Sequence, residues 1–543
     1  MPNTPWEPPK TFSQIGPSSN GGIQDGPTFL GHPVGLFVCF FTEMWERFSF
    51  YGMKALLLLY VTKYHLFGDE NGYNLLGAYG GLVYAVPVIG GLLADRYLGM
   101  RKAVVFGAVL LVMGHLGMAF EGVQATTVEG IVKQDRFALG IFYLSLSLII
   151  MGVGFLKPNI STIVGRLYPP NDPRTESGFT IFYAGINLGA FISSLLCAWL
   201  GEKYGWRYGF GAAGIGMVFG LVVFLYGQKY LHGHAEPRDP EMLKQRVIGP
   251  LTREHLIYLG SLGGVGVIWL LIQSHSLLVR LIPNVFELSP VVLSMHLVSI
   301  CLLIGIFRFV FTKCNRVERE QMFVVMGFII FGLIFFTLYE QTYGSWLLFS
   351  DRAMNRHAFG VEWSAGQLTS LGALFIFMLT PFFAWLWPQL DKRGLNPGKP
   401  AKSGLGVIFS GLAFFVLVWS ARNPESNGLT SIWWFVLAYF VLEIGEMMLS
   451  PTGLSAVTQL SVPRVVSLMM GAWFLGTSYS EVLAASLGQL SAMEVHPDAK
   501  MDVADALTKY SELFNLSAWI GIIAGVVILS LTPLLKRWMN GVK

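Results

Sequence analysis

Long apolar runs separated by short polar connections follow one another along almost the whole chain. A helix needs about 20 mostly apolar residues to cross a bilayer, and we count fourteen runs of roughly that length. The pattern predicts an all-α polytopic membrane protein with 14 transmembrane helices, arranged as six, two and six. The predicted spans lie near 34–62, 74–98, 103–120, 137–166, 177–200 and 209–231, then 255–274 and 290–311, then 321–349, 365–388, 404–420, 430–458, 466–490 and 513–536.

The composition is that of a chain mostly surrounded by lipid. Of the 543 residues, 53% are hydrophobic and 13% are charged, whereas about 25% of a soluble globular chain is charged. The net charge of +4 is small, so we expect no nucleic-acid partner. The four cysteines show no metal-ligand spacing, so we predict neither a metal site nor a disulfide.

Lys and Arg are unequally distributed between the two sides of the predicted helices. If the N-terminus is inside, the cytoplasmic segments carry about twice as many of the 37 Lys and Arg residues as the outer segments. This predicts a multi-pass protein of the plasma membrane with both termini in the cytoplasm. Residues 1–30 are rich in Pro, Gly and Ser and lack the apolar core of a signal peptide, so we interpret them as a flexible tail. The first membrane helix is then expected to act as an uncleaved insertion signal.

Charged residues in the middle of the first apolar run are the strongest functional signal. Glu43, Glu46, Arg47, Phe50 and Lys54 occur at helical spacing and share one face. Each charge costs roughly 2.5–3.5 kcal/mol at the centre of a membrane helix, and such residues usually mark functional sites. The face must therefore meet charged partners or water. A charge cluster that only fixes helix packing is the alternative.

Other polar side chains interrupt the later spans. Lys157 is flanked by about ten apolar positions on either side, so we expect a carboxylate partner rather than snorkelling to the interface. Asn187 either bonds to a neighbouring helix or lines a cavity. Glu340 lies in the predicted span at 321–349. Glu443 and Glu446 lie one helical turn apart in the predicted span at 430–458.

The two sets of six spans show traces of internal repetition. The segment Gly-Leu-Leu-Ala-Asp-Arg-Tyr-Leu-Gly-Met-Arg-Lys at 91–102 has a partial counterpart, Asp-Lys-Arg-Gly, at 391–394. Glu43 precedes Asp95 by 52 residues, and Glu340 precedes Asp391 by 51. Such repeats favour alternating access around a midplane site. We predict a tail at 1–30, a six-helix bundle at 31–231, a linker with two inserted helices at 232–320 and a second six-helix bundle at 321–543.

The motifs together resemble those of the proton-dependent oligopeptide transporters, a branch of the major facilitator superfamily. The resemblance implies the major facilitator fold, two six-helix bundles with two inserted helices. The inserted pair and the short predicted outer loop at 421–429 are similar to those of bacterial members, which implies the bacterial inner membrane. The motifs are Glu-x-x-Glu-Arg-Phe at 43–48, Gly-Phe-Leu-Lys-Pro-Asn-Ile-Ser at 154–161, Phe-Tyr-Ala-Gly-Ile-Asn-Leu-Gly at 182–189, Tyr-Glu-Gln at 339–341 and Glu-Met-Met-Leu-Ser-Pro-Thr-Gly-Leu-Ser at 446–455.

The resemblance also implies roles for single residues. Arg47 and Lys157 would bind the C-terminal carboxylate of a peptide, and Glu446 would bind its N-terminal amine. Trp473 would line a side-chain pocket, although ordinary packing explains it equally well. The remaining implied roles are peptide contact for Tyr51 and Asn187, proton coupling for Glu43, Glu46, Arg47, Lys157 and Glu340, an outer gate pair of Lys54 and Glu340, and an inner gate pair of Lys157 and Glu446.

Five positions depart from the family pattern. Phe50 replaces the first of two usual tyrosines, and Phe336 replaces a common tryptophan. Gly372 stands where an asparagine is usual, and Lys54 where an arginine is commoner. Gly77 stands where animal members have a proton-handling histidine. These departures leave the substrate preference and the details of coupling open.

The arrangement of charges suits a zwitterionic substrate. The two charged ends of a peptide lose hydration in a membrane cavity, and cations facing one end and a carboxylate facing the other compensate for that loss. Arg47 can bind two carboxylate oxygens with its planar fork. Because all peptides share these ends, we predict a promiscuous carrier of di- and tripeptides with no obligate protein partner. The substitution Arg47→Ala is expected to lower peptide affinity.

Protons are the predicted source of energy, with no cofactor. The segment 394–400 lacks the spacing and the Ser or Thr of a nucleotide loop, and buried carboxylates near Arg and Lys can take up protons. We expect protonation of Glu340 to release Lys54, so that Glu340→Gln keeps exchange but loses proton-driven accumulation.

Other functions fit parts of the same pattern. A related carrier of another anion or of a drug-like metabolite is one alternative, although the intact Glu-x-x-Glu-Arg motif argues against nitrate. A membrane sensor that binds peptides without moving them is another. We predict no enzyme, because the chain has neither a His-Glu-x-x-His nor a Gly-x-Ser-x-Gly motif.

Overall fold

The computed structural model describes residues 27–169, 172–237, 239–273, 290–493 and 502–542. Most of the tail predicted at 1–30 lies outside these described residues. The predicted linker at 232–320 is described except for residue 238 and residues 274–289.

Fourteen long helices make up the described part of the chain, as the apolar runs predict. Twelve of the described helical segments are long and apolar enough to cross a membrane. The two remaining long helices, the first with 30 residues and the thirteenth with 23, have the length to do so as well. The helices are α1 to α6 at Val34–Lys63, Asp69–Leu93, Met100–Met118, Arg136–Arg166, Arg174–Tyr204 and Trp206–Gly227, α7 and α8 at Arg253–Gln273 and Pro290–Lys313, and α9 to α14 at Arg316–Tyr339, Ser370–Lys392, Lys399–Arg422, Ile432–Leu460, Val466–Gly488 and Val503–Trp538.

Short elements fill the connections. A π-helical turn continues α2, and four short hairpins and one parallel strand pair lie in described loops. The short helical segments are Ala94–Leu98, Gln228–Leu231, Pro240–Lys244, Glu340–Tyr343, Ser345–Arg352, Gly366–Thr369, Pro463–Val465 and Gln489–Ser491. The paired strands are Thr28–Phe29 with His32–Pro33, Thr126–Val128 with Ile131–Lys133, Arg246–Ile248 with Leu251–Thr252, His357–Ala358 with Val361–Glu362, and, in parallel, Met354–Asn355 with Thr430–Ser431.

Two predicted boundaries were wrong. The run at 321–349 is not one helix, because α9 ends at Tyr339 and the chain continues through a 3-10 turn before a short helix. The last helix begins ten residues earlier than the predicted 513. Its start is fixed by Asp502, whose side chain accepts a hydrogen bond from the Ala504 N–H at 2.9 Å, and such caps satisfy the free donors of a helix N-terminus.

Small residues bring helices within each half close together. A Cβ atom at Gly90 of α2 would lie 2.1 Å from the carbonyl oxygen of Gly154 in α4. In the second half, a Cβ at Gly406 of α11 would lie 2.7 Å from the carbonyl oxygen of Gly445 in α12. These positions tolerate only glycine, which allows the close backbone packing typical of membrane helices.

The two halves meet mainly where α2 packs against α13 and α5 packs against α10, while α7 packs on the outside of the first half against α4. This arrangement leaves a space between the halves that α1, α5, the 3-10 turn, α10 and α12 surround.

Candidate functional site

The charged face of α1 is buried, and it carries a compact ion cluster. Arg47 Nε lies 3.2 Å from Glu43 Oε1 and also donates a hydrogen bond to Glu46 Oε2. One Arg47 nitrogen, one Glu43 oxygen and one Glu46 oxygen are buried without a hydrogen-bond partner. Because unpaired buried polar atoms are costly, the cluster has capacity for a further charged or polar group.

Lys54 joins the two halves of the molecule. Its Nζ lies 2.7 Å from Glu340 Oε2, which belongs to the 3-10 turn after α9. The contact implied by the outer gate pair is therefore present in this structure. The same Nζ lies 2.7 Å from Glu481 Oε1 on α13 and 4.7 Å from the centre of the Tyr343 ring. One ammonium thus holds two carboxylates of the opposite half.

Glu481 was missed by the sequence analysis, although a signal existed. It is the single charged residue between Val466 and Gly488, and an ionisable residue inside a membrane span is a candidate functional residue by default. Its side chain fits against α2 because that helix is glycine-rich at the contact. A Cβ at Gly80 would lie 2.4 Å from Glu481 Oε2, and one at Gly77 would lie 2.5 Å from the Ala485 Cβ.

The carboxylate partner predicted for Lys157 is not found. Its Nζ lies 4.2 Å from the centre of the Tyr84 ring, and none of the ion pairs among the described residues includes it. The nearby carboxylates of Glu43 and Glu46 are turned to Arg47, so the ring of Tyr84 takes their place. The structure also does not bring Lys157 and Glu446 together as a pair.

A cavity lies between the halves, and its lining includes Glu340 and Tyr343, which both contact Lys54. Tyr51 and Asn187 both line it. The side chain of Asn187 also donates a hydrogen bond to the Tyr183 carbonyl of its own helix at 3.0 Å. Of the two predicted surroundings for Asn187, the cavity is therefore the one observed. The lining also includes Glu340, Tyr343, Gly372 and Tyr439 from the second half.

Two aromatic residues of the prediction have packing contacts in the structure. The Phe50 ring is buried, lies 5.2 Å from Arg47 Cζ and stacks on Tyr79. Trp473 is 7% exposed and packs on glycine, since a Cβ at Gly453 would lie 2.4 Å from its ring. Trp473 is not among the residues that line the cavity, and neither are Arg47, Lys157 and Glu446.

Glu443 and Glu446 lie on α12 near the cavity. Both Glu443 oxygens and one Glu446 oxygen are buried without a hydrogen-bond partner. A Cβ atom at the cavity-lining Gly372 would lie 2.9 Å from Glu443 Oε1. No group of three or more His, Cys, Asp or Glu side chains suited to a metal occurs among the described residues.

Further ion pairs join the halves at the end of the molecule that is predicted to face outward. Arg352 binds Asp69 through both terminal nitrogens, with two N–O distances of 2.6 Å. Lys63 Nζ lies 2.5 Å from Asp351 Oδ1. The halves are thus held together by charge at this end.

Comparison with known proteins places these features in one family. A family model described as PTR2, the POT family, matches residues 101–501. The chain is 32% identical to "Peptide transporter YePEPT" of Yersinia enterocolitica, over 95% of this chain and 97% of that protein. It is 31% identical to a "Di-/tripeptide transporter" of Lactococcus lactis, over 95% and 98%. A crystal structure of peptide transporter POT in complex with sulfate superposes with a TM-score of 0.76 at 32% identity, covering 95% of this chain and 97% of that one.

Proposed function

The chain belongs to the POT family of the major facilitator superfamily, and from that premise we propose that it is a proton-coupled symporter that imports di- and tripeptides by alternating access. The observation that carries this proposal is the position of Lys54. It binds two carboxylates of the opposite half, and one of them, Glu340, lines a cavity between the halves. The relatives named for peptide transport support the choice of substrate.

In this proposal, charges of opposite sign that lie outside the present cavity lining bind the two ends of the peptide. Arg47 keeps one terminal nitrogen unpaired, and Lys157 has no carboxylate partner among the described residues, so both cations are available for a peptide carboxylate. Glu446 keeps an unpaired oxygen for the peptide amine. Charge-assisted hydrogen bonds of this kind are roughly twice as strong as neutral ones. Tyr51 and Asn187 contact the peptide between its ends.

The structure corresponds to an inward-facing state in this proposal. The ion pairs at the predicted outer end are formed, whereas Lys157 and Glu446, proposed as the inner gate pair, are apart. Exchange of one set of contacts for the other gives alternating access around the central cavity.

Proton movement supplies the energy. Two carboxylates share the single ammonium of Lys54, so a proton on either one weakens the contact that closes the outer end. One proton that moves through 100 mV provides about 2.3 kcal/mol. Glu43 and Glu46 take part in proton coupling in this proposal, because a proton gained or lost by either one changes the charge around Arg47 when the substrate binds.

We further propose the bacterial inner membrane as the location, with both termini in the cytoplasm. In this proposal, transport requires no chemical conversion, no cofactor and no obligate protein partner, because the proton gradient supplies the energy. We also propose the division at 31–231, 232–320 and 321–543, in which each six-helix bundle contributes one side of the cavity.

Uptake of labelled dialanine into proteoliposomes, with and without an inward proton gradient, tests the proposal. We expect accumulation that depends on the gradient and is competed by unlabelled di- and tripeptides but not by nitrate. Binding without gradient-driven accumulation would indicate a sensor or facilitator. Absence of binding would indicate another substrate, such as a different anion or a drug-like metabolite.

A further inference from the structure

Tyr343 belongs both to the lining of the cavity and to the contacts of Lys54, and the proposed transport cycle does not use it. Its ring lines the cavity and is 9% exposed. The centre of the same ring lies 4.7 Å from Lys54 Nζ, within the distance of a cation–π interaction. One aromatic side chain therefore borders the space between the halves and also contacts the ammonium that joins them.

The 3-10 turn at Glu340–Tyr343 explains why two of its side chains reach the same ammonium. A 3-10 helix has three residues per turn, so the side chains at its first and fourth positions point the same way. Glu340 places a carboxylate oxygen 2.7 Å from Lys54 Nζ, and Tyr343 places its ring there. A ring attracts a cation through its quadrupole, so this contact persists when a proton neutralises a neighbouring carboxylate.

A second contact of Tyr343 joins it to the first half of the molecule. The rings of Tyr343 and Tyr51 are stacked, with centres 6.2 Å apart and planes inclined by 23°. Tyr51 lies on α1 three residues before Lys54, so both side chains share one face of that helix. Both tyrosine rings line the cavity. Because they belong to opposite halves, the stack forms only while the halves are together at this level.

We propose that Tyr343 is a positioning residue that transmits occupancy of the cavity to Lys54, so that the outer end closes around a bound peptide. This inference rests on the proposed function, in which Tyr51 contacts the peptide. A peptide that touches both rings binds more tightly when they are stacked than when the outer ends of the halves are apart. A ligand shifts a conformational equilibrium by such a difference in affinity, and the Tyr343 ring then holds Lys54 in the closed arrangement.

Distances between the outer ends of the halves, measured by double electron–electron resonance on the full-length protein, test this role. Nitroxide labels are attached at Val128→Cys and Val361→Cys, exposed positions in the first and second halves on loops predicted to face outward. The exposed Cys301 is first replaced by Ser, while the other three cysteines are buried. Spectra are recorded without ligand and with saturating dialanine.

The comparison of Tyr343→Phe, which keeps a ring, with Tyr343→Leu, which does not, isolates the contact with Lys54. Without ligand, Tyr343→Leu should lower the ratio of short to long distances by about tenfold or more, as expected for loss of one desolvated cation–π contact. Dialanine should raise this ratio in the wild-type protein and in Tyr343→Phe, but not in Tyr343→Leu. Tyr226→Leu, at an exposed tyrosine of α6, is the matched control and should keep the wild-type values.

An unchanged ligand-free ratio in Tyr343→Leu, or a full response of this variant to dialanine, would overturn the role of Tyr343. If Tyr343→Leu does not fold, Tyr343→Met carries the same comparison, because its flexible side chain fills the space without a ring.

Failure of the proposed function gives different results. Absence of dialanine binding by the wild-type protein would overturn the proposed substrate, and the ligand-free ratios of Tyr343→Phe and Tyr343→Leu would then decide whether the ring positions Lys54. A normal distance response to dialanine without proton-driven accumulation would overturn proton coupling and leave the role of Tyr343 standing.

Discussion

Glu481 places a carboxylate oxygen 2.7 Å from the ammonium nitrogen of Lys54, across the interface between the two halves of the molecule. Glu340 lies at the same distance from that nitrogen, so the three side chains carry one more negative than positive charge when all are ionised. A single lysine in low-dielectric surroundings cannot compensate for two carboxylates. In the proposed mechanism, this site gains and loses a proton as the outer end opens and closes.

The shared lysine changes the expected effect of removing Glu340. From the sequence alone, Glu340→Gln would abolish proton-driven accumulation. With Glu481 as a second acceptor, we expect Glu340→Gln and Glu481→Gln each to lower the steady-state accumulation of dialanine but keep it above equilibrium. The double variant should exchange dialanine and no longer accumulate it. The measurement compares gradient-driven uptake, which reports accumulation, with counterflow, which reports exchange, both in proteoliposomes.

The matched control for these variants is Glu362→Gln on an exposed outer loop, which should accumulate dialanine like the wild-type protein. Complete loss of accumulation in Glu340→Gln alone would show that Glu481 only fixes Lys54 in position. Full accumulation in the double variant would show that Lys54, Glu340 and Glu481 take no part in proton coupling.

Arg47→Lys is expected to weaken peptide binding although the positive charge is kept. Lysine cannot reproduce the planar fork that binds two carboxylate oxygens, and each hydrogen bond to a charged group contributes about 1.5–3 kcal/mol. We therefore expect a loss of about tenfold or more in dialanine affinity. A dipeptide with an amidated C-terminus serves as the control ligand, because its affinity should be low and respond little to the substitution. A similar loss for both peptides would assign Arg47 to cavity structure.

The sequence predicted the helices and the charged face of α1 because both depend on local pattern. Apolar runs of membrane length determine where helices form, and Glu43, Glu46 and Arg47 stand out as charges within such a run. The break after Tyr339 was not predictable, since the apolar pattern continues through it to the next short helix. The contact of Lys157 with Tyr84 depends on how α4 and α2 face each other, and no local pattern contains that information.

The cap of α4 predicts a pH-dependent contribution to stability. Asp135 lies in a loop outside the membrane spans and accepts hydrogen bonds from the N–H groups of Ala138 at 3.1 Å, Val123 at 3.2 Å and Phe137 at 3.0 Å, which hold the pKa of its carboxyl below the usual range. A lowered folded-state pKa stabilises the fold above the unfolded pKa and ceases to do so as the pH falls through the folded value. We expect Asp135→Ala to lower Tm in detergent at neutral pH, with a difference from wild type that shrinks below about pH 4. A difference independent of pH would refute the electrostatic account.

The contact between Asp69 and Arg352 predicts that a charge swap can restore what either single change removes. Both N–O distances are 2.6 Å, and Asp69 is buried, so Asp69→Asn or Arg352→Gln leaves a buried charge without its partner. Breaking a buried pair in this way costs about 3–5 kcal/mol. Since the pair joins the halves at the predicted outer end, we expect each single variant to disfavour the inward-facing state and slow dialanine uptake. The double variant Asp69→Arg with Arg352→Asp keeps opposite charges in contact and should recover part of the lost rate. Equal uptake by the swap and by the single variants would mean that the geometry of the pair, rather than its charge, holds the outer end closed.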